Sequence, residues 1–144
     1  MRAPGRNRRR TARVEYHLPQ QPNSAHRARQ LTRLFLAARG PGRPPYGADP
    51  GSAVLVVSEL VTNATRYGEG SCRLRLSLDS RDRLVVEVHD HGPGRPQLAP
   101  PSPTAEGGRG ITLVQALSRS LSVVRDGEGA GKTVRAELTC AYSE

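Results

Sequence analysis

Aromatic residues are scarce in this chain of 144 residues, which has no tryptophan and one phenylalanine. Proteins that hold single-stranded nucleic acid stack its bases on aromatic side chains, and readers of duplex DNA carry helix or zinc signatures. None of those signatures occurs in the sequence. We therefore expect no sequence-specific contact with nucleic acid.

Cysteine and long apolar runs are also rare. Cys72 and Cys140 are the only cysteines and lack the spacing of a metal or redox motif, which argues against a disulfide framework. The longest apolar run, from Ala53 to Val57, is too short to span a bilayer, and the N-terminus has no apolar signal region. These absences predict a soluble, cytoplasmic protein without a membrane partner.

Acidic residues are outnumbered, with 13 Asp and Glu against 22 Lys and Arg and a net charge of +9. Much of this excess lies in an arginine run at the N-terminus. Residues 1–12 contain nothing apolar that can pack, so they predict a disordered basic arm, and residues 13–144 form one domain. An arm of this kind can attract nucleic acid or an acidic partner by charge alone, which leaves an arginine-arm nucleic-acid binder as an alternative.

Hydrophobic periodicity divides the remaining chain into strands and helices. Alternating apolar residues predict strands, and a period of 3.6 predicts helices. The predicted strands are Arg13–Leu18, Cys72–Leu78, Leu84–Asp90, Ser120–Arg125 and Thr133–Thr139; the predicted helices run from Ala25 to Ala38, from Val54 to Tyr67 and onward from the glycines at 107–110. This order predicts an α+β fold, a two-layer sandwich in which a mixed, mostly antiparallel sheet carries three helices on one face.

The second predicted helix carries Glu59 and Asn63, which are one helical turn apart. Both lie along the border of its apolar arc, where a side chain can meet a ligand held between helix and sheet. The carbonyl oxygen of an Asn suits Mg²⁺ with phosphates, and a Glu can orient or deprotonate a hydroxyl. An ordinary amphipathic helix with polar flanks is the alternative interpretation.

Asp90 is a further candidate, because it shares the parity of the buried apolar residues in its strand. A carboxylate that points inward at the end of a strand requires a partner. Gly92 and Gly94 follow at once and allow the backbone to approach a ligand closely.

A proline-rich loop, Arg95–Glu106, then leads to a second cluster of glycines and has the character of a lid. Gly108 and Gly110 stand at the start of the last predicted helix, where exposed backbone N–H groups bind phosphate oxygens. The later segment from Gly131 to Thr133 is not a P-loop, because a strand follows it where a helix is needed.

Four segments, SELVTNATRYG at 58–68, DHGPG at 90–94, GGRGI at 107–111 and GKTV at 131–134, resemble the nucleotide boxes of one ATPase superfamily. Its members are the gyrase, heat-shock chaperone, histidine-kinase and mismatch-repair ATPases. Within it the chain is most similar to the small stand-alone anti-sigma-factor serine kinases and their actinobacterial relatives. The resemblance implies a histidine-kinase-like ATPase domain with Mg²⁺ and ATP between the helices and the sheet.

The resemblance also implies roles for the matching residues. Glu59 would activate the attacking hydroxyl, Asn63 would ligate Mg²⁺, and Asp90 would accept a hydrogen bond from the adenine amino group. The other implied nucleotide-binding residues are Gly92, Gly94, Gly108, Arg109, Gly110, Ile111 and Thr133. Regular alternation turns Thr133 away from the apolar side of its strand, so a role near the base requires a bulge after the glycine turn.

The function implied by this resemblance is a serine/threonine protein kinase. It would bind a sigma factor and phosphorylate a small anti-sigma-factor antagonist, and the resemblance also allows a homodimer. One departure favours an alternative, because Glu106 and Gly107 stand where some of these kinases have an arginine. The alternative is a non-catalytic, ATP-dependent protein-binding module that regulates transcription.

Overall fold

The computed structural model describes residues 12–38, 50–79, 83–92, 106–127 and 131–139 of the chain. Residues 1–11 of the predicted arm, Gly94 and most of the predicted lid lie outside these ranges. Among the helices of the described ranges, none is both long enough and apolar enough to cross a bilayer.

One sheet contains all the described strands. They are β1 (Ala12–Leu18), β2 (Cys72–Leu78), β3 (Arg83–Asp90), β4 (Ser120–Arg125) and β5 (Lys132–Thr139). Their order across the sheet is β1-β2-β3-β5-β4, and each neighbouring pair is antiparallel. The predicted α+β sandwich is confirmed, and in the described strands the expected mixed sheet is antiparallel throughout.

Three helices pack against this sheet: α1 (Ser24–Ala37), α2 (Pro50–Tyr67) and α3 (Glu106–Leu117). The central one is α2, which contacts both other helices as well as β2, β3 and β5. Its apolar stripe is buried, and Val56, Val57 and Val61 have no exposed surface. A helix held this firmly along one face fixes the position of the polar residues on the borders of that face.

Alternation along β2 and β3 separates a buried face from a polar one. Every second residue in each strand is buried, and these buried rows end at Cys72 and Asp90, which are cross-strand partners. Asp90 is therefore a charged residue at the end of an otherwise apolar row. This position confirms the inward parity expected from the sequence.

The opposite face of the sheet carries charged side chains. Arg75 lies 3.1 Å from Glu15 and 3.5 Å from Glu87, and Arg83 lies 3.3 Å from Glu137. Ion pairs as exposed as these contribute about 0–1 kcal/mol each, so they make a solvated surface rather than a site. The buried polar residues of the central strands lie on the helical side instead.

Candidate functional site

The carboxylate of Asp90 is enclosed, with 3% of its side chain exposed. Its Oδ1 accepts a hydrogen bond from the backbone N–H of Gly92 at 2.8 Å and another from Nζ of Lys132 at 2.9 Å. Within the described residues both bonds end on Oδ1, which leaves Oδ2 to accept a hydrogen bond from a ligand. The structure thus supplies the partner that a buried carboxylate requires.

Two glycines bring the end of α2 close to this carboxylate. A Cβ atom at Gly68 would lie 3.0 Å from Cβ of Asp90, and one at Gly92 would lie 2.8 Å from Cα of Gly68. Side chains at these positions would push the helix away from the strand. Because neither glycine has a Cβ atom, the backbone at both positions can pack closely around Asp90. We call this arrangement of Gly68 and Gly92 around the carboxylate the Asp90 cradle.

Glu59 and Asn63 lie on α2, and both are half-buried. Burial raises the pKa of Glu59 above its ordinary value of 4.5, while the guanidinium groups of Arg29 and Arg66 lower it in part. Arg29 extends from α1 and donates a hydrogen bond to Oγ of Ser58 at 2.8 Å. A carboxylate with a raised pKa is better suited to accept a proton than an ordinary surface carboxylate.

The same helix connects this pair to Asp90. Gly68 donates its backbone N–H to the carbonyl of Ala64 at 2.8 Å, which ends α2 beside the Asp90 cradle. At 1.5 Å of rise per residue, Asn63 lies about 7.5 Å from Gly68 along the helix axis. A nucleotide is long enough to contact both ends of this segment.

The predicted phosphate-binding segment falls in α3. Gly108, Arg109, Gly110 and Ile111 lie in the first half of this helix, which begins at Glu106 and packs against α2. The first four backbone N–H groups of a helix have no partner within it, so this placement suits phosphate binding by Gly108 and Arg109. Gly110 and Ile111 follow this first turn, where backbone N–H groups bond within the helix. The contacts of these residues with phosphate stay a prediction.

Thr133 is not brought to Asp90. It pairs with His89 across the strands, while its neighbour Lys132 pairs with Asp90, and this register continues unbroken to the other end of β3. The bulge that a role of Thr133 near the base would require is therefore absent from the described part of β5. Regular pleating places Thr133 on the polar face and Lys132 on the helical face.

Sequence reasoning missed two charged residues, Lys132 and Arg29. The parity of β5 contained a signal for Lys132, because the alternation that turns Thr133 outward turns Lys132 inward with Val134. No comparable signal existed for Arg29, because its contact with Ser58 joins different helices 29 residues apart.

A comparison with protein families now identifies this arrangement. The model of the family described as histidine kinase-like ATPase domain matches residues 18–138, which include every described part of the site. The chain belongs to this family. Domains of the family bind ATP, usually together with Mg²⁺. No curated protein matches the chain.

Two solved structures are similar to this ATPase domain. The histidine kinase domain from Erythrobacter litoralis EL346 blue-light activated histidine kinase is 34% identical, with 63% of this chain and 47% of that one covered and a TM-score of 0.48. A structure of Erythrobacter litoralis EL346 blue-light activated histidine kinase is 33% identical, with 63% and 30% covered and a TM-score of 0.49. The chain thus spans less than half the length of either protein.

The residues present fit Mg²⁺ and ATP. The cradle glycines let the end of α2 and the segment at Gly92 pack closely around Asp90, and its Oδ2, which bonds to none of the described residues, can accept a hydrogen bond from an amino group. The described residues contain no cluster of three His, Cys, Asp or Glu side chains able to hold a metal ion. Mg²⁺ needs no such cluster, since it commonly takes one or two protein ligands and completes its shell with phosphates and water.

We expect the replacement of Arg29 with methionine to raise the pKa of Glu59 further. The guanidinium group stabilises the ionised carboxylate, and burial remains after it is removed. The pKa can be measured by NMR titration of the Glu59 carboxyl carbon, assigned with a Glu59→Gln variant. Arg33→Met on the exposed side of α1 is the matched control. An unchanged pKa in Arg29→Met would show that Arg29 does not act on Glu59.

Cys72 should be almost unreactive in this ATPase domain. Burial, and then the negative charge of Asp90, raise the pKa of its thiol from 9.0 to about 11. Two pH units correspond to about 100-fold less thiolate at pH 8, and the thiolate is the reactive form. We expect slow alkylation of a Cys140→Ser variant at pH 8, with the rate rising towards pH 11. Labelling as fast as that of the protein unfolded in guanidinium would contradict this prediction.

Proposed function

We propose that this chain is an Mg²⁺- and ATP-dependent protein serine/threonine kinase of the anti-sigma-factor type. The observation that carries the proposal is the half-buried Glu59, whose pKa is raised by burial. Glu59 lies one helical turn before Asn63, on the helix that ends at the Asp90 cradle. This arrangement combines Glu59, which is able to accept a proton, with Asp90, the carboxylate proposed to bind the adenine base. Glu59 lies on α2, and Asp90 lies on β3 beside the end of that helix.

Each residue has one task in the proposed reaction. Asp90 binds the adenine amino group, and Asn63 offers its carbonyl oxygen to Mg²⁺. Bound ATP with Mg²⁺ supplies the γ-phosphoryl group and neutralises its charge. The hydroxyl oxygen of the serine or threonine forms a bond to the γ-phosphorus, and the bond between that phosphorus and the leaving oxygen of ADP breaks. Glu59 takes the proton of the attacking hydroxyl.

The proposed partners are a sigma factor and a small antagonist protein that carries the phosphorylated serine. Support for them comes from the resemblance of the four nucleotide boxes to those of anti-sigma-factor kinases. In this role the chain would work in the cytoplasm, hold the sigma factor in one state and inactivate the antagonist by phosphorylation. A homodimer is compatible with the same proposal.

A second candidate function is binding without catalysis. It is favoured by Glu106 and Gly107, which occupy the place where some kinases of this type have an arginine just before the phosphate-binding glycines. In that case, bound ATP would order a protein-binding surface and no phosphoryl group would be transferred. The two functions share the Asp90 cradle and differ in the use of Glu59.

Phosphoryl transfer distinguishes the two functions directly. The purified chain is incubated with ATP labelled on its γ-phosphate, Mg²⁺ and candidate antagonist proteins. We expect label on a serine or threonine of the antagonist, and no label when EDTA removes Mg²⁺. Calorimetry that detects ATP binding in a sample unable to label any candidate would support the second function. A lack of nucleotide binding by folded protein would contradict both functions.

A further inference from the structure

Lys132 is the buried cation of the candidate site. Its side chain is 3% exposed, whereas those of Arg75, Arg83 and Arg135 on the polar face of the sheet are 31–41% exposed. A lysine that serves only solubility keeps its ammonium group in water. The burial of Lys132 therefore requires an explanation, whereas the arginines of the polar face are partly exposed and require none.

The ion pair with Asp90 supplies part of that reason. The two residues are cross-strand partners in β3 and β5, and Nζ lies 2.9 Å from Oδ1. An ammonium group has three N–H donors, and within the described residues one of them is used, on Asp90. Buried donors without partners are costly, so the other N–H groups need an acceptor that a ligand can supply.

The pair also places a donor beside an acceptor. Both hydrogen bonds to Asp90 within the described residues end on Oδ1, so Oδ2 can accept and the ammonium group of Lys132 can donate at the same site. An adenine edge has the complementary pattern, because its exocyclic amino group donates and the ring nitrogens N1 and N7 on either side of it accept. A lysine side chain can only donate a hydrogen bond, whereas a threonine hydroxyl at the same position could either donate or accept one. Lys132 is therefore restricted to a partner that accepts.

We propose that Lys132 is a specificity-determining residue that donates a hydrogen bond to a ring nitrogen of the adenine whose amino group is bound by Asp90. This inference rests on the proposed ATP-binding function and adds a second recognition contact to it. The base is then read by two adjacent groups of opposite hydrogen-bonding character. Lys132 holds the Asp90 carboxylate in position even before a nucleotide binds.

Deaza analogues of ADP test this contact. In 1-deaza-ADP and 7-deaza-ADP one ring nitrogen is replaced by C–H, so the acceptor is lost while the shape of the base is kept. We expect calorimetry on the wild-type chain to show that one of the two analogues binds at least about tenfold more weakly than ADP, as the loss of a charge-assisted hydrogen bond predicts. The analogue that binds weakly identifies the nitrogen.

Substitution of Lys132 with methionine should abolish this discrimination. Methionine fills similar space without a donor, so Lys132→Met should bind ADP and both analogues alike. Arg135→Met, on the polar face of the same strand, is the matched control and should discriminate as the wild type does. Thermal melting shows whether each variant is folded, and the comparison of ligands on wild-type protein stands even if Lys132→Met is not.

Each failure has its own meaning. Equal binding of ADP and both analogues by the wild type would overturn the role of Lys132 and leave the ATP-binding function intact. Discrimination that persists in folded Lys132→Met would overturn it as well. If the folded wild-type chain binds no adenine nucleotide, the proposed function fails and this inference fails with it.

Discussion

Replacement of Glu59 with glutamine should slow phosphoryl transfer by about 10²- to 10⁴-fold, the usual contribution of a general base. Glutamine keeps the shape and half-buried position of the side chain but cannot accept the proton of the attacking hydroxyl. ATP affinity should change little, because the proposed contact with the base is made by Asp90, which lies on β3. Single-turnover transfer assays and calorimetry measure the two effects separately.

The matched control is Glu69→Gln, the same substitution at an exposed position just beyond α2. It should leave both transfer and binding unchanged. If Glu59→Gln transfers phosphate as fast as the wild type, Glu59 is not the base. If the wild type performs no transfer and Glu59→Gln preserves partner regulation, the non-catalytic function is the correct one.

Replacement of Asp90 with asparagine should weaken ATP binding by about 10- to 100-fold, as expected for the loss of a hydrogen bond to a charged group. The asparagine carbonyl can still accept from Gly92 and Lys132, so its amide N–H₂ takes the place of Oδ2. Two donors would then face each other at the adenine amino group. Inosine triphosphate has an oxygen acceptor at that position, and its affinity relative to ATP should rise.

Calorimetry with ATP and inosine triphosphate measures this change in preference. Asp126→Asn is the control, because Asp126 pairs with His89 at 2.5 Å and not with Asp90 or Lys132. Asp90→Asn also leaves a buried lysine opposite a neutral group, so thermal melting is recorded first to confirm that the variant is folded. A ratio of the two affinities equal to that of the wild type would show that Asp90 does not contact the base.

These two predictions assign one task to the second half of α2 and the other to Asp90, which lies on β3 beside the end of that helix. Glu59 and Asn63 precede the last turn of α2, and Gly68 closes that helix against Asp90. In the proposed function, the position of the base at Asp90 would set how far the phosphates extend towards Asn63. Any change that tilts α2 should alter base binding and phosphoryl transfer together.

The sequence by itself determined the local structure and most of the candidate residues. Alternation predicted the observed ends of β2, and in β3 the same kind of parity turned Asp90 towards the helices. The spacing of Glu59 and Asn63 indicated their position on the border of a buried helical face, where both are half-buried. Periodicity suffices for such features because each depends on residues close together in the chain.

Only the tertiary structure decided which distant residues meet. The insertion of β5 between β3 and β4 sets Lys132 opposite Asp90 and Thr133 opposite His89. The packing of α1 against α2 likewise brings Arg29 to Ser58 and Glu59. Strand order and helix packing are set by burial of the whole core, so the periodicity of one segment cannot reveal them.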